Sequence, residues 1–459
     1  MLEHLERQKS LTANQWKIFA AATLGDMLDF FDFYLIGFVL AFIVGGWHLT
    51  YGQSGAILLS SGIAAPLGSL FWGWMADKIG RRKVMILTVL NFSVPTGLMA
   101  LTPDHGWLFL TICRFFVGMG VTGLYTVDVL VVQEFVPAAR RGRITGLTTA
   151  LLPAGTLLGA LSGAYLEQLV GWRGLFIIGL LPAALTLVIR AWVPESPHWL
   201  VGKGRLDEAR RSLAWALQAD PSTIELPAVA PKVERTAWAE LFKYPRSLIT
   251  SCLTGLVQTG SVGLTLWVTT LFVLVLKVTP AEASFLVIWY GIAGILGRFF
   301  CSWASDSMGR RASILAVGLA AAAASSAAGY WHAYYIGPLS VFYLMVLVQQ
   351  FFGNGIYAIV GPYMAEVWPS NLRASGMGVG YGVGNLGKFI GPAGLALIAG
   401  SSNFVSPKAT LDALVPAMNY FGLWFVLGAL AAWFIGFETN GRTIQEIDGQ
   451  LRGSKAPAE

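Results

Sequence analysis

Three aspartates spaced three residues apart, Asp26, Asp29 and Asp32, stand inside an otherwise apolar run near the start of the chain. A charged group in such a run is costly unless it is paired or faces water, so each is a candidate for ion chemistry. The spacing spreads them over roughly 120° of one helical side, which directs them into a bundle or cavity and away from lipid. Desolvation favours the neutral form of a carboxyl group and a nearby cation favours its anion. A carboxyl that alternates between those settings takes up and releases a proton. Asp32 and Asp29 lie deepest and are the expected proton carriers. Asp26 is read either as a third inward carboxylate or as a solvated group at the cytoplasmic end.

Cations that could answer them are few. Arg114 opens the run Arg-Phe-Phe-Val-Gly-Met-Gly, whose glycines allow a neighbouring helix to approach closely. An Asp32–Arg114 pair is the expected switch, with Asp29 as the near alternative and a permanent structural ion pair as the plain one. Asp128 either joins this site or reaches the charged turns at the cytoplasmic side. Arg298 and Lys388 are the remaining mid-span cations, and no acid stands beside either in its own run. A substrate carboxylate would supply the missing countercharge, and arginine offers it a planar fork. Arg298 could instead pair with Asp306, two turns on, and Lys388 could snorkel to the interface. Asn385, one turn before Lys388, and Gln258 are candidates for orienting hydrogen bonds, with Tyr34 and Tyr357 as aromatic neighbours.

A second kind of charge recurs. Gly73–Lys83 reads GWMADKIGRRK and Ser302–Ala312 reads SWASDSMGRRA, so Asp77, Arg81 and Arg82 return 229 residues later as Asp306, Arg310 and Arg311. Residues 134–146 and 366–378 share a Glu, a Pro three later, an Arg seven later and a Gly twelve later, matching Glu134 and Arg141 with Glu366 and Arg373. PES at 194–196 and FET at 437–439 match Glu195 with Glu438. Such internal symmetry marks a duplicated membrane bundle, the usual chassis of a secondary carrier. Charge that only enforced topology would account for the basic residues and leave the matched acids unexplained. Acid–arginine pairs at these turns are expected to form bidentate contacts that latch the halves together in one state and part in the other.

The elements that must hold these groups follow from composition. Hydrophobic residues make up 55% of the 459 and charged residues 12%, against roughly 25% charged in a soluble domain. About twelve spans of ~20 residues fit. They are predicted near 17–46, 54–76, 84–102, 107–133, 144–169, 173–193, 247–276, 283–304, 312–332, 336–365, 375–400 and 414–437. The first is read as a retained helix, not a cleaved leader. An N-terminal six-helix bundle at 1–193 and a C-terminal one with a short tail at 247–459 flank a cytoplasmic linker at 194–246. Within the linker, apolar residues at helical spacing predict an amphipathic helix over Leu206–Leu217 that bridges the bundles. Of 31 Lys and Arg, 24 fall on the linker side together with the termini, which predicts cytoplasmic termini and explains the net charge of +6 without nucleic acid. Cys113, Cys252 and Cys301 read as small buried hydrophobes. No Walker loop, Ser-His-Asp set or metal cluster is present in the sequence, which argues against an enzyme and for a gradient as the energy source.

Taken together, the Asp-x-x-Gly-Arg-Arg turns, Arg114 with Gly118 and Gly120, PESPHWL, and GPYMAEVWPSNLRASGMG at 361–378 resemble the major facilitator superfamily along essentially the whole chain, in its sugar-porter and organic-ion branch. Asp29-Phe-Phe-Asp32 with Gly37 downstream resembles the helix-1 motif of aromatic-acid/proton symporters, with Phe30 where that family carries Gly. Sugar porters carry a Gln pair where this chain has Gln258 alone, and the fifth span offers only Gln168. The resemblance implies an all-α fold of twelve transmembrane helices in two pseudo-repeated bundles. It also implies import of a small organic anion, an aromatic or other monocarboxylate, driven by protons through alternating access in the cell membrane. No cofactor beyond the coupling proton is expected, and the functional unit is expected to be a monomer among lipid. A sugar or polyol symporter, a uniporter or exporter, and a non-transporting sensor are the alternatives.

Overall fold

The computed structural model describes residues 8, 10–137, 144, 147–148, 151–224, 238–369, 372–440, 442 and 444–451. Helical structure occupies each of the twelve predicted stretches. The N-terminal half contains α1 (Ala13–Ile43), α2 (Tyr51–Ile79), α3 (Arg81–Leu98), α4 (Trp107–Phe135), α5 (Pro153–Leu161), α6 (Glu167–Ile178) and α7 (Leu185–Trp192). A break at Gly171 inside α6 separates the predicted fifth and sixth passages. The linker carries α8 (Pro197–Gly202) and α9 (Leu206–Leu217), the latter at the bounds its periodicity predicts. The C-terminal half contains α10 (Pro245–Gly255), α11 (Val257–Leu276), α12 (Pro280–Met308), α13 (Arg310–Tyr330), α14 (Val341–Gly355), α15 (Tyr357–Glu366), α16 (Arg373–Asn385), α17 (Gly387–Ile398), α18 (Pro407–Leu430) and a tail helix α19 (Ile444–Leu451).

Among the described residues, eight helices are long and apolar enough to cross a membrane, or up to nine if one bent pair counts as a single span. The 31-residue α1 is long enough and apolar, and it is set apart by the charges of Lys17 and its three aspartates. The α10/α11, α14/α15 and α16/α17 pairs are each interrupted by one residue, Leu256, Ile356 or Leu386, beside Gly255, Gly355 or Gly387. Glycine weakens a helix and admits bends at these points.

By their contacts the residues form two compact units. The first holds Met1–Leu35, Ile63–Ser162 and Leu166–Glu234, where α3 runs along α4. Here Asn14 Nδ2 donates to the Trp215 carbonyl at 2.7 Å and Thr12 Oγ1 to that of Ala216, satisfying the orphan acceptors at the end of α9. Ser212 Oγ ties α9 to the Glu195 carbonyl at 2.6 Å.

The second unit holds Ile36–Gly62, Gly163–Tyr165 and Arg235–Glu459, with α13 packed along α18 and α12 along α14. This grouping differs from the sequence division at residues 193 and 247. The end of α1 and the first half of α2 fall in the second unit because they pack on α11, α17 and α18. A Cβ on Gly37 would stand 2.8 Å from the Leu266 carbonyl. Tyr51 hydrogen-bonds Thr410 at 2.5 Å and lies 5.9 Å from the Trp267 ring. Trp267, Trp368, Phe272, Phe421 and Phe425 anchor the apolar interior of this unit.

Candidate functional site: buried charges and two acid–arginine clasps

In the first unit α1 presents Asp26, Asp29 and Asp32 to the protein interior, and all three are at most 2% exposed. Asp26 is thus buried and is not a solvated group at a helix end. Arg114, on α4, is also fully buried. Its Nη1 donates to the backbone carbonyl of Asp32 at 3.1 Å and its Nη2 to that of Phe33 at 2.8 Å. The guanidinium lies 5.5 Å from the Phe33 ring centre. Arg114 thus grips the main chain at Asp32, its guanidinium fork spanning two successive carbonyls, each with a lone pair to spare, while its charge also bears on the Asp32 carboxyl.

The Asp32 carboxyl also meets α3. Thr96 on α3 shares its hydroxyl between the Phe92 carbonyl at 2.9 Å and Asp32 Oδ2 at 3.3 Å. Oδ1 is buried without a hydrogen-bond partner, 3.1 Å from where a Cβ on Gly179 would lie. A carboxyl with one weak donor and a buried bare oxygen is poorly stabilised as an anion. Asp128 is likewise buried on α4 and aims at Gly25 of α1, so it belongs to this interior group and not to the repeated charged turns.

In the second unit Arg298 of α12 donates from Nε to Asn354 Oδ1 on α14 at 2.7 Å, and its guanidinium lies 5.7 Å from the Tyr357 ring centre. Asp306, the other partner weighed for Arg298, pairs with Arg310 at 3.1 Å. Gln350 and Asn354 both face Gly294 of α12. Gln258 on α11 lies against Gly384 of α16, the neighbour of Asn385, whose buried Oδ1 has no hydrogen-bond partner. Lys388 follows on α17 and is half-buried. Tyr34 belongs to the first unit, where its ring packs edge-on against Phe33 at 5.0 Å. Sequence reasoning missed Asn354, Thr96 and Gly179. An amide between two glycines in an apolar run was the available signal for Asn354; nothing marked the other two.

The repeated turns build two clasps of one design. Arg81 pairs with Asp77 at 3.0 Å and with Glu134 at 3.7 Å, and Glu195 Oε1 accepts the backbone N–H of Arg81 at 2.7 Å and of Arg82 at 3.2 Å. In the second unit Arg310 pairs with Asp306 at 3.1 Å and straddles both oxygens of Glu366 at 3.4 Å. Glu438 there accepts the backbone N–H of Arg310 at 2.9 Å and of Arg311 at 3.1 Å. Each clasp is thus built from residues of its own repeat. The reason is local: Glu195 and Glu438 sit at the N-termini of α3 and α13, where free N–H groups and the helix dipole attract an anion.

Gly80 and Gly309, at φ 103° and 86°, make the turns that aim those N–H groups. A Cβ at Gly80 would collide with Glu195, and one at Gly309 would stand 2.9 Å from Glu438 Oε2. Burial alone would push Glu438 up, but backbone donors from Asn440, Arg310, Arg311 and Thr439 hold it below its ordinary value. Arg311 completes the second clasp by donating to the carbonyls of Ala432 and Trp433. Arg373 Nε and Nη2 are buried without hydrogen-bond partners. Arg141 lies outside the described residues.

Comparison with known proteins places this architecture. The profile of the sugar (and other) transporter family matches residues 17–451. A niacin transporter of Acinetobacter baylyi is 30% identical over 435 residues, 92% of this chain and 94% of that one. The cis,cis-muconate transport protein of the same organism is 24% identical over 94% of this chain and 96% of its own. The xylose transporter of E. coli, in a partially occluded inward-open conformation, shares the fold with a TM-score of 0.74 over 94% of this chain and 100% of that chain at 19% identity. The chain belongs to the sugar (and other) transporter family, and it is an all-α, multi-pass membrane transporter of the major facilitator fold, not an enzyme.

Proposed function

We propose that this transporter is a proton-coupled symporter of the cell membrane, with both termini cytoplasmic, that imports a small organic anion by alternating access. The observation that carries the substrate class is Arg298, set between the amide oxygen of Asn354 and the face of Tyr357. One edge of the guanidinium is thereby fixed in direction, and the planar fork of an arginine suits a carboxylate. The tyrosine face beside it suits a planar acid. Niacin and muconate, the cargoes named for two relatives, are both carboxylic acids. Gln258, Asn385 and Lys388 line the helices that would orient the rest of the molecule.

Proton coupling is assigned to Asp32. Its carboxyl is fully buried, weakly donated to, and next to main chain that Arg114 grips from α4. Protonation removes a buried charge, which lowers the free energy of whichever state keeps this site dry. Access to water on the other side restores the anion. Asp29, one turn away, is the neighbouring acceptor.

Uptake of radiolabelled benzoate, nicotinate, lactate and a neutral sugar into proteoliposomes, with and without an inward proton gradient, tests the reading. Gradient-stimulated uptake of an acid is expected. Asp32→Asn should lower it roughly a hundredfold, the scale of one positioned proton-transfer group, and Arg298→Ala should abolish it. Accumulation of the sugar alone would remove the anion assignment, and an acid that equilibrates without regard to the gradient would remove the coupling.

A further inference from the structure

A second carboxyl pair lies six residues from Asp32 along α1, about 9 Å. Asp26 is fully buried and Asp128 is 1% exposed, and none of their four carboxyl oxygens has a hydrogen-bond partner. Asp128 leans across to α1: its Oδ2 is 3.1 Å from the Cβ position of Gly25, the neighbour of Asp26, with Leu124 and Leu185 closing the space at 3.3 and 3.4 Å. The charged groups that bear on Asp128 are Asp26 and Asp29, both acids. From α7 comes the apolar Leu185; Arg190, the charged residue of that helix, has a side chain outside those described. One turn before Asp26, Thr23 Oγ1 is buried and also without a partner.

Two bare carboxylates cannot both persist there. Each carries a desolvation penalty of several kcal/mol, and like charges that bear on one another favour one of the pair holding a proton. We propose that Asp26 and Asp128 form a second proton-holding site, in which one carboxyl O–H is shared with the partner carboxylate, and that this site relays protons between Asp32 and the cytoplasmic end of α4. The spacing suits a relay. Asp32, Asp29 and Asp26 share one side of α1 at steps of about 4.5 Å rise, and Glu134, within the Arg81 clasp, lies six residues beyond Asp128. In each step a protonated carboxyl gives its proton to the next carboxylate and becomes the anion, so charge is conserved along the path. The held proton stands independently; its use in transport rests on the symport reading.

Infrared difference spectra of the full-length protein in liposomes, followed through the C=O stretch of protonated carboxylic acids, read this directly. A band persisting at about pH 7, well above the ordinary aspartate range near 3.9, is expected. It should fall in Asp26→Asn and Asp128→Asn alike and survive in Asp32→Asn. Both asparagines remove a buried charge and keep the shape, and two separate variants guard against one that misfolds. In parallel, gradient-driven accumulation should drop roughly a hundredfold in each of the two variants, as for a lost proton-transfer group. A band untouched by either substitution overturns the proposal. So does its loss when sodium replaces choline at constant ionic strength, which would make the bound cation sodium. Should the two variants remove the band while wild-type uptake ignores the proton gradient, the shared proton stands and the symport reading falls.

Discussion

At Arg298 the side chain meets an amide oxygen and an aromatic face at once, and lysine can reproduce neither the fork nor the stack. Arg298→Lys should therefore raise the KM for an acid roughly tenfold, about 1.4 kcal/mol, in concentration-dependent uptake. Near Asp32 the tight residue is Gly179. A methyl there meets the Thr96 side chain and stands 3.1 Å from Asp32 Oδ1. Gly179→Ala should destabilise the protein by about 1–3 kcal/mol, the range for overpacking, visible as a lower Tm in detergent. Charged residues in apolar runs were legible in the sequence because the membrane makes them conspicuous. Their neutral partners were not. Thr96, Gly179 and Asn354 matter only through what the fold brings beside them, and spacing along one helix carries no record of it. For the same reason the depth of Asp26 escaped: three-residue spacing fixes a side of the helix and says nothing of where water ends.

On the scale of elements, each clasp is a helix N-terminus with its own carboxylate. Glu438→Gln should cost about 1 kcal/mol, the usual effect of losing a cap, measured as a fall in Tm near neutral pH. Glu438 is held below its ordinary value of 4.5 by backbone donors. Its contribution is thus complete above that value and fades as pH falls through the lower folded value. The Tm gap between wild type and variant should accordingly close on acidification below about pH 4.5. Gly309→Ala should be the more damaging change, since it adds strain at positive φ to a collision with that carboxylate. The repeat itself was legible because Asp, Gly, Arg and Glu recur at fixed offsets. Which partner each acid chooses was not, because sequence symmetry fits pairing within a repeat as well as between repeats. Helix interruptions were partly legible after the fact, since Gly255, Gly355 and Gly387 each adjoin one.

Over the whole molecule, charge asymmetry and hydropathy carry the topology, and one small feature makes that topology accessible. Between α13 and α14 the chain forms a two-stranded hairpin, β1 (Tyr335–Ile336) with β2 (Leu339–Ser340), turned at Gly337 in the left-handed region. Tyr335, Ile336 and Leu339 are exposed, and such tips accept insertions because few contacts depend on them. The hairpin lies on the face opposite the basic turns in the proposed topology. An epitope threaded between Gly337 and Pro338 should be stained by antibody on intact spheroplasts, whereas one on either terminus should require permeabilisation. The reverse pattern would invert the orientation. If the epitope is stained from outside, the exposed hairpin becomes an external handle, a place to attach a fiducial or a quencher and watch a single carrier turn over from outside the cell.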